Sequence, residues 1–316
     1  MDNPQQSLKS YKDSSLNTYP IKVSHMTQTD IGRLKVAIAR LDLPGNVFIY
    51  TTGSDGKFEK ANRKESPAEL IILCDSHSKK LVEARVNKLV KSNLIPMDNR
   101  IEWIDPSKNS LRKCTITDTV APSRFLHNLP LSGSEEQLDE LTLHFVDEIQ
   151  KMPQAERRRF RNKFVVEHTQ QMKKAISGKE THEVDLAQGV LSYSGMGRKA
   201  AKYSLLRPIQ YTLDLALVDA IRTKQRPQKE YVTILRNMPR QVPDQIDYMY
   251  KLGLLPNLSK TDVGDLKQAY TLGLFYFQTA QHLVSSMEGS PVQFPIPDKE
   301  ELAKAYADTV RILEKM

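Results

Sequence analysis

Two apolar runs of strand length, residues 47–50 (Val-Phe-Ile-Tyr) and 70–73 (Leu-Ile-Ile-Leu), constrain what this chain can build. Neither run alternates apolar with polar residues. Each therefore reads as a strand buried on both faces, and such a strand needs helices to cover it. The helices are there. Ile31, Leu34, Ile38 and Leu41 recur at helical spacing, with Thr29 or Asp30 placed to cap the start and Leu-Pro-Gly at 43–45 to stop it. Beyond the second run, Leu81, Ala84, Val86, Leu89 and Val90 interleave with Lys79, Lys80, Lys88 and Lys91 as an amphipathic helix. A shorter strand-like run, Ile101-Glu102-Trp103-Ile104, follows. Helix, strand, strand, helix, strand describes a small α/β unit.

From residue 118 the pattern is helical. Ser134 stands as a cap before Leu138, Leu141, Phe145 and Ile149, and helical spacing continues through 206–224, 228–238, 242–253, 262–286 and 297–314. No strand signal follows residue 117, and Tyr270, Phe275, Tyr276 and Phe277 read as bundle core. A chain of 316 residues exceeds what one core usually serves, so two domains are expected. The expected class is α+β: a polar lead-in over 1–27, a small mixed-sheet α/β domain over 28–117, and an all-α helical bundle over 118–316.

Composition narrows the function classes. No apolar run approaches the ~18 residues that span a bilayer, and the N-terminus lacks the pattern of a secretory signal. Cys74 and Cys114 are too few for a disulfide framework. A cytoplasmic protein without membrane partners is the expectation. The net charge of +8 suits a partner rich in phosphate or carboxylate. It is too modest to call for nucleic acid unless it is concentrated somewhere, so nucleic acid is not the expected partner. Arg157, Arg158, Arg159, Arg161 and Lys163 do form a dense basic cluster on a predicted helix. The seven histidines show no zinc-ligand spacing, and neither a P-loop nor a Gly-x-Ser-x-Gly elbow is present.

The loop between the two apolar runs carries the chemistry. Gly53-Ser54 ends the first run, Lys57 follows, and Glu65 and Glu69 precede the second run. A Gly-Ser turn at a helix start offers backbone N–H groups and a hydroxyl to phosphates. Carboxylates on adjacent strands supply the hard oxygen ligands that magnesium takes. Gly53-Ser54-Asp-Gly-Lys57-Phe-Glu59, followed by Ser66-Pro67-Ala-Glu69-Leu-Ile-Ile-Leu73, resembles the nucleotidyltransferase signature of the bacterial uridylyltransferases and adenylyltransferases of nitrogen regulation. Lys202-Tyr-Ser-Leu-Leu-Arg207-Pro208-Ile-Gln210 is similar to the segment that opens a helix in the helical domain of those enzymes. The resemblance covers roughly residues 28–290.

The resemblance implies a nucleotidyltransferase-like domain followed by a helical domain. It also implies transfer of a nucleoside monophosphate from a nucleoside triphosphate to a protein or small-molecule hydroxyl, with Mg2+ as cofactor. Glu69 and Glu102 take the catalytic and metal-ligand roles, with Glu65 as a substitute ligand. Gly53, Ser54, Lys57, Lys202 and Arg207 take the nucleotide. Two departures stand out: Pro67 occupies the first carboxylate position, and Pro208 replaces the acid that follows the arginine. Proline binds no metal, so impaired activity is expected. Two other readings stay open: an inactive regulatory module that binds nucleotide or protein, and a basic helical scaffold that contacts nucleic acid through Arg157–Lys163. Each candidate also has a structural role open to it, Gly53-Ser54 as an ordinary turn and Glu69 and Glu102 as solvent-facing strand residues.

Overall fold

Helix α1 (Tyr19–Ala39) begins ten residues before Thr29, inside the stretch expected to be a lead-in. The structure is a computed structural model. It describes residues 19–52, 70–91, 101–105, 125–176, 184–185, 190–193, 205–285, 292–295 and 299–316. Thr29 does not cap α1. Its hydroxyl donates to the His25 carbonyl one turn back (2.9 Å), which lets a polar residue sit within a helix. Pro20 lies in the first turn, where its missing N–H costs nothing. The helix stops before Pro44 as expected, with Asp42 taking a left-handed φ of 48°.

By contact, the chain divides into two compact units, one of Val23–Arg157 with Val218–Arg240 and one of the remaining residues. The first unit is built on a mixed sheet. Strand β1 (Phe48–Thr51) pairs antiparallel with β2 (Leu70–Leu73), and β2 pairs parallel with β3 (Ile101–Ile104). A fourth strand, β4 (Leu129–Ser132), runs antiparallel to β1 with a register irregularity between Ile49 and Tyr50, giving the order β3-β2-β1-β4. All eight residues of β1 and β2 are buried, as their unbroken apolar runs require.

Helix α1 and helix α2 (Lys79–Lys91) cover one face of this sheet. Ile31, Leu34 and Ile38 of α1 and Val82, Val86 and Leu89 of α2 form one buried cluster with Ile49, Leu70, Ile72 and Leu129. Each such side chain contributes about 1.5–3 kcal/mol when fully buried. The stripe on α2 differs from the expected one, because Val82 is buried while Leu81 is 46% exposed and Ala84 is also exposed. Spacings of four and three residues, from Val82 to Val86 to Leu89, keep one line along the helix; Leu81 lies about 100° off it.

Helix α3 (Glu135–Gln150) follows β4 through a glycine that nothing else can replace. Gly133 has φ +115°, and a Cβ there would meet Phe48 Cδ2 at 2.1 Å. Ser134 then caps α3 as its position in the sequence indicated, in a reciprocal box with Gln137. Phe125 stacks on Phe145 of α3 at 4.2 Å between centroids. In this unit α3 packs against helix α7 (Gln228–Arg236), where the buried Tyr231 hydroxyl donates to the Ala220 carbonyl at 2.5 Å.

The second unit is mainly helical. Helix α4 (Gln154–Phe160), a π-helical stretch (Arg161–Val166) and helix α5 (Glu167–Ile176) follow one another without a break. Glu167 N–H donates to the Asn162 carbonyl five residues back, the π-helical bond. This explains how Phe160 and Val165 are both buried: at α-helical pitch they would lie about 140° apart. Helices α6 (Arg207–Arg222), which belongs to this unit as far as Leu217, α8 (Val242–Lys251), α9 (Lys260–Ser285) and α10 (Lys299–Leu313) complete it, α9 packing against both α8 and α10. Tyr270, Phe275, Tyr276 and Phe277 are buried in α9, as their spacing indicated.

The all-α expectation for residues 118–316 does not hold. Besides β4, a second antiparallel sheet joins β5 (Val184–Asp185), β6 (Val190–Tyr193) and β7 (Val292–Pro295) in the order β5-β6-β7. Two physical reasons hide these strands. Pro130 lowers the strand signal of β4 and is tolerated because β4 lies at the sheet edge. β6 finds its partner β7 only across helices α6 to α9, a pairing that no local periodicity records.

Candidate functional site

The candidate loop hangs from the end of β1 and the start of β2. Thr51 and Thr52, both buried, lead into Gly53, and β2 begins at Leu70. Gly53, Ser54, Lys57, Glu65 and Glu69 lie outside the described residues, as does Lys202. Glu102 and Arg207 are the two candidates the structure describes.

Glu102 is central in β3, as expected. The parallel register sets Leu70 beside Ile101, Ile71 beside Glu102, Ile72 beside Trp103 and Leu73 beside Ile104. Partners in register share a sheet face, so Glu102 stands on the face of Ile71 and Tyr50, away from α1 and α2. It is the only exposed residue in the four strands of this sheet. On the opposite face, Lys79 Nζ lies 5.7 Å from the Trp103 ring centroid, within cation–π range.

Arg207 is the first residue of α6, directly after Leu205 and Leu206, which are already π-helical. Pro208 fits the first turn for the reason Pro20 does, and Thr212 Oγ1 donates to its carbonyl at 2.7 Å. The half-buried Arg207 places its guanidinium 5.7 Å from the Tyr211 ring centroid. The buried His168 ring stacks on the same tyrosine at 5.7 Å and 25°. Gln210, Thr212 and Asp214 are buried along this helix too, an unusually polar stretch for an interior one.

The other end of β2 holds an acid that the sequence reading did not single out. Asp75 Oδ1 accepts from Ser78 N–H at 2.7 Å, and its Oδ2 accepts from Asn46 Nδ2. The Ser78 N–H holds the Asp75 carboxyl below its ordinary range. An aspartate three residues before a serine at a helix start is the sequence sign of this cap. Cys74, buried and free as expected, has its thiol pushed up by burial and then by the Asp75 charge, so it is a poor nucleophile.

A cleft in the sheet unit is lined by Phe125, Leu138, Leu235, Arg236 and Arg240. Arg236 is held by Glu135 and Asp139, and Arg240 donates to the Asn128 carbonyl. These arginines tie the chain around α3 and α7.

Magnesium fits the chemistry of the candidate acids, since Glu102 is an exposed hard-oxygen donor on a strand beside β2. Among the described residues, no three His, Cys, Asp or Glu side chains converge to hold a metal; Glu65 and Glu69 lie outside that set. No helix among the described residues is long and apolar enough to cross a membrane. No protein-family model matches this chain, and no curated protein matches its sequence.

Proposed function

We propose that the sheet unit is a nucleotidyltransferase-type module that binds a nucleoside triphosphate with magnesium where β1 leads into Gly53-Ser54. It transfers the nucleoside monophosphate to a hydroxyl of a protein or small molecule, at a rate lowered by the loss of one acid at Pro67. The observation that carries the reading is the parallel pairing of β2 with β3. Glu102 is level with Ile71 of β2, and Glu69 is the residue that precedes Leu70 in sequence, outside the described residues. An exposed carboxylate on the strand beside β2 is one of the hard-oxygen ligands that a magnesium site needs.

In the transfer, the acceptor oxygen bonds to the α-phosphorus, the bond to the bridging oxygen breaks, and pyrophosphate leaves. Magnesium, when bound, would neutralise charge on the phosphates. Glu69 and Glu102 would hold the ion, Gly53 and Ser54 would cradle the triphosphate tail, and Lys57 would add a positive charge beside it. Pro67 removes one ligand, and a ~1 Å misplacement of the reacting groups costs ~100-fold in rate.

The test is a thermal-shift series with ATP, UTP, GTP and CTP, with and without magnesium, followed by incorporation from the α-labelled nucleotide that binds. Magnesium-dependent binding and slow incorporation, abolished in Glu69→Ala and raised in Pro67→Asp, are the expected results. No shift with any nucleotide overturns the proposal. Binding that ignores magnesium, without incorporation, leaves a nucleotide-binding regulatory module in its place.

A further inference from the structure

The helix that runs from α4 through the π-helical stretch to α5 concentrates the charge of the chain. Residues 154–176 hold seven basic residues (Arg157, Arg158, Arg159, Arg161, Lys163, Lys173, Lys174) against two acidic ones, Glu156 and Glu167. That excess of five is more than half of the net +8 of the whole chain, in one helical stretch. Arg157 and Lys173 are held by acids of the fold. Arg157 makes a two-pronged bond to Asp219, which holds its guanidinium above its ordinary value, and Lys173 pairs with Glu314.

Arg158, Arg159, Arg161 and Lys163 are all exposed, beside exposed Asn162, while Phe160 and Val165 turn inward. The three arginines have no ion pair among the described residues. The large apolar side chains exposed among the described residues are Met26, Val36, Leu81 and Leu143, and none belongs to this helix. A protein partner is normally held by apolar or aromatic anchors, and single-stranded nucleic acid by aromatic stacking. Neither kind of anchor is exposed among the described side chains of this helix. Arginine forks match phosphate oxygens two at a time.

We infer that the exposed face formed by Arg158, Arg159, Arg161 and Lys163 is a docking surface for the phosphate backbone of a double-stranded nucleic acid, read without regard to sequence. Contacts of this kind go to phosphates rather than to base edges. Four cations on four phosphates set a slope of roughly −3.6 for log affinity against log salt, a loss of roughly 100-fold between 50 and 200 mM. The inference is independent of the nucleotide chemistry proposed for the sheet unit.

The test is fluorescence anisotropy of a labelled 20-base-pair duplex with the full chain across that salt range, without nucleoside triphosphate. The expected result is binding at 50 mM salt with the slope above. Arg158→Gln, Arg159→Gln and Arg161→Gln together should weaken binding by more than tenfold and reduce the slope to about −1. All three are exposed, so the melting temperature should hold. Lys80→Gln with Lys88→Gln, on exposed positions of α2, should leave binding and slope unchanged. Absence of duplex binding at 50 mM salt overturns the inference. So does an unchanged slope in the triple variant, equal affinity for a single strand, or competition by polyglutamate as effective as that by unlabelled duplex.

Discussion

The sheet unit and the helical unit spend their strictest residues on different physics. In the sheet unit the constraint is steric: Gly133 passes so close to Phe48 that no side chain fits. In the helical unit it is electrostatic. Asp262, 2% exposed at the start of α9, accepts from Ser259 N–H at 3.0 Å and from the Ser259 hydroxyl, from Arg311 at 2.7 Å and from Lys315 at 2.8 Å. Lys315 first, then the Ser259 N–H and Arg311, hold its carboxyl far below the ordinary range. The contrast with Glu102, the exposed acid of the sheet unit, separates two uses of a carboxylate. Asp262 is consumed by its own fold, whereas Glu102 stands exposed in the middle of β3.

Four substitutions test that contrast. Gly133→Ala should destabilise the sheet unit most, by about 3 kcal/mol, because strained φ and overpacking against Phe48 add; urea unfolding followed by Trp103 fluorescence measures it. A loss below about 1 kcal/mol would mean that Phe48 yields and the steric reading fails. Glu102→Gln should lower nucleotidyl transfer by about 100-fold, close to the same free energy at the barrier, while unfolding stays within about 0.5 kcal/mol of the parent. Unchanged incorporation would remove Glu102 from the site.

Asp262→Asn should cost about 2 kcal/mol of stability and leave nucleotide binding unchanged. Its pH dependence has a definite sign. The folded pKa lies below the unfolded value near ~3.9, so the contribution of Asp262 is complete above that value. It is lost as pH falls further, toward the folded pKa. The parent should thus lose stability relative to Asp262→Asn below about pH 4, and parallel acid-unfolding curves would break the comparison. Ser134→Ala should have the smallest effect, about 1 kcal/mol, since its capping box with Gln137 is exposed.

Much of this was legible in the sequence where a short stretch carries its own signal. The runs at 47–50 and 70–73 appear as β1 and β2, Ser134 caps α3, and Glu102 sits in the middle of β3. Periodicity failed where a partner lies far along the chain, as with β6 and β7, or where one proline mutes an edge strand, as with β4. It also failed at Leu81, whose hydrophobicity outweighed its phase, and at Thr29, a good cap residue absorbed inside a longer helix. At the candidate site, Glu69 and Glu102 are expectations from the sequence. The in-register level of Glu102 with Ile71 is a property of strand pairing and became visible only there. The role of Asp262 was hidden for the same reason, because Arg311 and Lys315 reach it from the far end of the chain.

The π-helical stretch at Arg161–Val166 has a consequence for how this helix tolerates change in length. A π turn holds one more residue than the α turn it replaces, so the stretch acts as a phase shifter in the wheel of the helix. Phe160 before it, Val165 within it, and His168 and Met172 after it are all buried although their numbering belongs to two different frames. The extra residue of the π turn is accommodated as girth rather than as a loop. The widened turn bears Arg161, Asn162 and Lys163 at the surface, so the added residue enlarges the charged face without disturbing the apolar one.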